Sequence, residues 1–226
     1  MLVLAIDTAL AVCATAILDT GRAEMRARES VPMLRGHAEA LMPQIARVMD
    51  AAKLEFAQLD RIAVTTGPGS FTGLRVGIAA ARGIALAAGK PSIGLSTLSA
   101  YAAPLIAKDD SSPVVVVIDA RHDQVYLQVF GPGGRTLVMP RHAPIGEAVR
   151  AAALGPVRIV GSAAELLAAA WPPDQPAPAL VDASPAPDID WVARLGAAAS
   201  GPVPPKPLYL KAADAQPQEA SRLARR

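Results

Sequence analysis

The sequence predicts an α/β protein in which one order of elements is made twice. Two observations carry this. Short β-rich apolar runs alternate with longer stretches whose apolar residues recur at helical spacing. The order of these segments up to residue 107 then restarts after a polar break at 108–113.

Each element has a local reason. Residues 2–6 are a short apolar run, and 11–18 are β-rich and end at the Asp19-Thr20-Gly21 turn. Residues 22–29 return as a more polar, edge-like strand. A helix is expected over 36–52, with Leu41, Ile45, Val48, Met49 and Ala52 at helical spacing. Its Pro43 falls early, where a missing N–H is tolerated. A buried strand (61–66) leads through Gly67-Pro68-Gly69-Ser70 into a helix at 72–88, with Gly89 as its cap. A strand at 93–96 and a helix at 98–107 close the first half. The second half reads as strands 114–118, 125–130 and 135–139, helix 145–153, strand 157–160, helix 163–170, strand 179–182 and helix 189–199.

Both halves read strand-strand-strand-helix-strand-helix-strand-helix. Three consecutive strands suit an antiparallel meander, and strands separated by helices suit parallel crossovers. A mixed sheet flanked by helices, made twice, is the duplicated ribonuclease-H-like plan of actin, Hsp70 and the sugar kinases. The predicted organisation is a first half-domain at 1–107, a second at 108–210 and a tail at 211–226. The proline-rich stretches 171–187 and 201–207 carry little periodicity.

Composition narrows the function. Of 226 residues, 52% are apolar and 19% charged, and the formal net charge is +2. A sizeable core is available and global disorder is excluded. No basic stripe marks a nucleic-acid surface. Arg222, Arg225 and Arg226 read as a solvated end. The lone cysteine, Cys13, sits in an apolar run and reads as a core residue, so no internal disulfide forms. No secretory leader is read at the start. The longest apolar stretch, 76–89, is interrupted by Arg82 and is read as too short for a bilayer. A cytoplasmic location with no membrane partner is expected.

Enzymes of this superfamily bind phosphate at the turn between the first two strands. An Asp there holds a metal ion, and a Gly lets backbone N–H groups approach the anion. Here that turn is Asp7-Thr8-Ala9-Leu10, with the acid and without the glycine. The matching turn of the second half, Asp119-Ala120-Arg121-His122-Asp123, also lacks it. Both are read as degenerate. Gly67-Pro68-Gly69-Ser70-Phe71-Thr72-Gly73 follows a strand and opens a helix, a context for either anion binding or tight packing. It lacks the Gly-Lys-Ser/Thr ending of a phosphate-binding loop. The helix after it is apolar around most of its axis and contains Gly73, Gly77 and Gly83, which points to burial on both faces. His37, His122 and His142 are not at ligand spacing, and no Gly-x-Ser-x-Gly elbow is present. No catalytic or metal-ligating set is assigned.

Four segments name a family. Leu4-Ala5-Ile6-Asp7-Thr8, His37-Ala38-Glu39-Ala40-Leu41-Met42-Pro43, residues 67–77 and Pro207-Leu208-Tyr209-Leu210-Lys211 closely resemble the bacterial TsaB (also called YeaZ) proteins. The resemblance implies a non-catalytic subunit required for threonylcarbamoylation of the adenosine beside the tRNA anticodon. It implies pairing with a TsaD-like catalytic subunit through helices of the first half, and self-association as a homodimer through the same surface. A TsaE-like ATPase would join the complex, and tRNA would be contacted indirectly. TsaD-like chains carry a His-x-x-x-His metal pair where this chain places Thr97 and Tyr101. The partner surface is accordingly expected at His37, Leu41, Phe71, Gly73, Leu74, Val76, Gly77 and Ala81. No cofactor of its own is expected, with ATP or ADP left open at a shared interface. The alternatives are an ATP-binding kinase or ATPase of the actin-like superfamily, and a peptidase using Ser70.

Overall fold

The computed structural model describes residues 1–201 and 203–211, so the basic end of the tail lies outside the described residues. Two five-stranded sheets form. The first contains β1 (Leu2–Asp7), β2 (Val12–Asp19), β3 (Glu24–Pro32), β4 (Arg61–Thr65) and β5 (Ser92–Leu95), in the order β3-β2-β1-β4-β5. The second contains β6 (Val114–Asp119), β7 (Gln124–Phe130), β8 (Thr136–Pro144), β9 (Arg158–Val160) and β10 (Leu180–Asp182), in the order β10-β9-β6-β7-β8. In each, the first three strands are antiparallel and the last two join parallel. This is the duplicated ribonuclease-H-like, actin-like architecture.

Both faces of each sheet are covered, which is why the central strands read as continuous apolar runs. On the first sheet, Leu4, Ile6, Ile17, Ile62 and Val64 face α1 (His37–Ala52) and α2 (Phe71–Ala88). Val3, Ala5, Ala14, Ala16 and Ala63 face the other way, against Ile189, Val192 and Ala193 of the C-terminal helix at Ile189–Ala198. Thr97–Lys108, which closes the first half, is α3; Ile145–Ala152 and Ala164–Ala169 of the second half are α4 and α5, so the C-terminal helix is α6. The second sheet packs one face on α4 and α5. Its other face receives Leu98, Tyr101 and Ala102 of α3.

The polar break at 108–113 separates the two sheets, yet α3 and α6 cross it in opposite directions. Each covers the sheet of the other half. Two arginines hold the exchange. Arg61, which opens β4, donates to the carbonyls of Gly196 (2.9 Å) and Ala199 (3.0 Å) at the end of α6. Arg158, which opens β9, donates to the carbonyls of Leu105 (2.8 Å) in the last turn of α3 and Ser112 (2.6 Å) just beyond it. Helix C-termini leave carbonyls unpaired and carry partial negative charge, so a cation is the natural cap.

Two elements differ from the sequence reading. Strand β8 continues through Pro140 to Pro144, past the expected end at residue 139. It is an edge strand, and its pairing shifts register between Leu127 and Val129, where Pro140 falls outside the regular ladder. Helix α2 is 18 residues long, and by length and composition it is long and apolar enough to cross a membrane. Its Gly73, Leu74, Gly77, Ile78, Ala81, Ile84 and Ala85 are instead buried against the first sheet and α1. Cys13 is buried, as its apolar setting predicts, and burial pushes its thiol up to about 11.

The closeness of α6 to the sheet depends on Gly196, where an added Cβ would lie 2.3 Å from that of Ala63. Gly196→Ala should lose about 1–3 kcal/mol in urea unfolding. Gly83→Ala should instead gain about 1 kcal/mol, because nothing lies within 4 Å of a Cβ there and the helix prefers Ala. Equal effects at the two sites would mean that neither contact is as described.

Candidate functional site

The turn after β1 is closed from inside. Asp7 is fully buried. Its Oδ1 accepts from Ala9 N (2.9 Å) and Thr65 Oγ1 (2.5 Å). Its Oδ2 has no partner among the described residues. Burial holds the carboxyl above its ordinary value of 3.8, against the opposing bonds from Thr65 and Ala9. A metal-holding Asp must be reachable, and Asp7 is fully buried. Thr8 Oγ1 donates to Gly73 O (2.8 Å), and Ala9 O accepts from Ser70 N (2.7 Å).

Three glycines at four-residue spacing make this contact possible. A Cβ at Gly69 would lie 2.2 Å from Ala9 O, and one at Gly73 would lie 2.1 Å from Thr8 O. At Gly77 it would meet Thr8 Oγ1 at 2.4 Å. The start of α2 thus lies directly on the turn. Its early N–H groups are also engaged: Ser70 N by Ala9 O, Gly73 N by Ser70 Oγ (3.3 Å) and Leu74 N by Ser70 O. The Ser70 hydroxyl serves as the N-cap of α2. Of the two roles open to this loop, the geometry uses tight packing.

The equivalent turn of the second half has the same local bond, with Arg121 N donating to Asp119 Oδ1 at 2.7 Å. Here the carboxylate is exposed. Arg121, His122 and Asp123 all have left-handed φ (65°, 52° and 56°), a sparsely populated conformation for residues with side chains. The turn borders a cleft of ≈ 350 Å³ between the halves, lined also by Leu10, Ser70, Tyr126 and Ser162. Thr97 and Tyr101, at the start of α3, are both buried. Tyr101 donates to Ser184 O (2.9 Å), and burial, with the charges of Asp7 and Asp182, drives its phenol upward.

Burial places six of the eight residues expected at the partner surface inside the chain. His37, Leu41, Gly73, Leu74, Gly77 and Ala81 all face inward. His37 Nε2 lies 3.1 Å from Val12 O, and Leu41, Leu74 and Ala81 are core residues. Phe71 is exposed and Val76 half-buried. The small residues at 73 and 77 admit the turn at 8–9, not a partner helix. The accessible side of α2 is instead Phe71, Thr72, Arg75, Ala79, Arg82, Gly83, Leu86 and Ala87. Leu86 is 85% exposed. Beside it, Met42 of α1, Phe56, Ala80, Gly83, Ile84 and Ala87 line an apolar groove of ≈ 460 Å³. A helical wheel carries this signal, since 71, 75, 79, 83 and 87 share one side.

The structure also joins two motifs that are far apart in sequence. Residues 203–211 run as a strap over the first half, with Gly94 N bonded to Val203 O and Leu208 N to Thr66 O (both 2.7 Å). Gly67 and Gly94 leave room for it, since a Cβ at either would lie 2.8 Å from strap backbone. The strap delivers Tyr209 to Phe71, with ring centroids 5.2 Å apart.

Fold and site together define a duplicated actin-like chain whose first phosphate turn is filled by its own helix. A model of the TsaD family, the tRNA N6-adenosine threonylcarbamoyltransferases, matches residues 31–171. An uncharacterised protein of Mycobacterium tuberculosis is 35% identical over 222 residues, 95% of this chain and 94% of its own. The tRNA threonylcarbamoyladenosine biosynthesis protein TsaB of Escherichia coli is 36% identical over 126 residues, 56% of this chain and 53% of its own. The structure of YeaZ from Pseudomonas aeruginosa superposes with a TM-score of 0.76 at 28% identity, covering 92% of this chain and 99% of that one. The chain belongs to the TsaB (YeaZ) family.

Two measurements test this geometry. Gly77→Ala should destabilise the protein, and Thr8→Ala should recover part of the loss by removing the hydroxyl that the new methyl meets. Strict additivity in a double-mutant cycle would refute the contact. Asp7→Asn tests the buried acid. Because the folded-state pKa lies above the unfolded one, the folded protein binds the extra proton as pH rises from 3.8. Wild-type stability should therefore fall relative to Asp7→Asn from that pH upward, in urea titrations run at several pH values. The opposite slope would mean an ionised, stabilised carboxylate.

Proposed function

We propose that this chain is a non-catalytic interaction subunit in tRNA threonylcarbamoyladenosine biosynthesis, pairing with a TsaD-like catalytic subunit. The observation that carries the reading is the accessible side of α2, where Leu86 is 85% exposed beside the groove of Met42, Phe56 and Gly83. An apolar strip of this kind on a packed chain suits a protein partner. The family supplies the pathway, since its relatives are named for threonylcarbamoyladenosine biosynthesis. The closed turn at Asp7 supports the absence of phosphate chemistry there. In this reading the chain self-associates through the same face when alone, and a TsaE-like ATPase joins the assembled pair. It acts in the cytoplasm and reaches tRNA through its partner, and any ATP or ADP sits at the shared interface.

A second reading, an actin-like kinase or ATPase, draws on the cleft at Asp119 and Arg121. Calorimetry with ATP and magnesium on the chain alone separates the two. No heat is expected, and micromolar binding would favour the enzyme.

The pairing reading is tested by size-exclusion chromatography with light scattering, using this chain and the TsaD-like protein of the same organism. A one-to-one species should form at the expense of any self-dimer. Leu86→Asp should weaken it at least ~10-fold while leaving the monomer folded, as expected of a central apolar contact. A complex unchanged by Leu86→Asp would place the interface elsewhere.

A further inference from the structure

We infer that the partner surface continues beyond the helices onto the strap, where Phe71, Arg75 and Tyr209 form an arginine site for a carboxylate of the partner subunit. This rests on the pairing reading above and adds a charged end to its apolar strip.

The chain has only three Phe, three Tyr and two Trp, yet Phe71 and Tyr209 are placed together and left 50% and 45% exposed. Arg75 lies over Phe71, its Cζ 3.8 Å from the ring centroid, and its Nε donates to Tyr209 Oη at 3.3 Å. These contacts hold the guanidinium by uncharged groups, so its charge is not neutralised. Among the described residues Arg75 has no carboxylate within ion-pair distance, as Arg22, Arg26, Arg28, Arg47 and Arg158 have, and it shares this with Arg82 on the same side of α2. No acceptor among the described residues takes its terminal nitrogens, which are the fork that binds a carboxylate at two points.

Position argues for a protein carboxylate over an RNA phosphate. Arg75 is one turn from Phe71 and one turn from Ala79, on the side of α2 that continues through Gly83 to Leu86 and Ala87. A partner covering that apolar strip also covers Arg75 and removes water from it. A desolvated cation then requires an anion from the partner itself. Arg82 is also exposed on this side, so the tRNA arm of the test separates a phosphate from a partner carboxylate. Holding the side chain in advance lowers the entropic cost of the pair. The strap is the positioning element, because Tyr209 arrives from 134 residues away and is anchored through Leu208 and Gly94.

The test is calorimetric titration of the full chain with the TsaD-like protein of the same organism, at low and high salt. Circular dichroism would confirm that each variant is folded. Arg75→Glu should weaken binding at least ~10-fold and Arg75→Gln less. Tyr209→Ala should weaken it several-fold, and Tyr209→Phe should stay close to wild type, since the ring is kept. The salt dependence of the wild type should flatten in Arg75→Gln, as expected for a lost ion pair. If Leu86→Asp breaks the complex but Arg75→Glu and Tyr209→Ala bind like wild type, the arginine site is wrong and the pairing reading stands. If the wild type does not bind at all, both fall. If Arg75→Glu spares the partner but weakens binding to tRNA, the anion is a phosphate and the inference is overturned.

Discussion

The approach of α2 to the turn at Thr8 and Ala9 is the constraint on which the first half is built. It brings a helix backbone against a turn backbone at a distance that no Cβ would allow at positions 69, 73 or 77. Once made, it sets the rotation of α2 about its axis. Leu74, Ile78 and Ala81 must then enter the core, and Ala79, Gly83 and Leu86 must leave it. The groove beside Met42 and the placement of Arg75 both follow from that rotation. Helix propensity opposes the glycines by roughly 1 kcal/mol each, so the packing they permit must outweigh that cost.

The duplication persists at single residues. Asp7 and Asp119 end the first strand of each half, and each accepts the N–H two residues on. Arg61 and Arg158 open the fourth strand of each half, and each caps the end of an exchanged helix. The two arginines do the same work, whereas the two aspartates have diverged in environment. Asp7 is fully buried and raised in pKa, whereas Asp119 is exposed and borders a cleft. Because α3 and α6 cross between the sheets, removing either half would strip a sheet face of its cover. The halves are therefore coupled in folding.

Much of this was legible in the sequence. The order of elements, the Gly89 cap and the break at 108–113 follow from local periodicity and turn chemistry, which act within a few residues. The rest depends on contacts between distant residues. Nothing near Arg61 indicates that its guanidinium reaches the end of α6, more than 130 residues later. That most residues expected at the partner face are buried has a related reason. Small residues at helical spacing announce a close approach without saying to what. At Gly73 and Gly77 the visitor is the chain's own turn, whereas at Gly83 nothing among the described residues lies within 4 Å of an added Cβ.

The glycines show how the turn after β1 keeps its shape by packing alone. In an anion-binding turn, glycine belongs to the turn, so that backbone N–H groups can reach the phosphate. In this chain the turn carries Thr8 and Ala9, and the glycines lie on the opposing helix. Ala9 N binds the carboxylate of Asp7 rather than an external anion, and Ser70 N binds Ala9 O. Both N–H groups are thus satisfied inside the chain. The same contact fixes which side of α2 faces outward, so the state of the turn and the surface that the helix presents are set by one piece of packing.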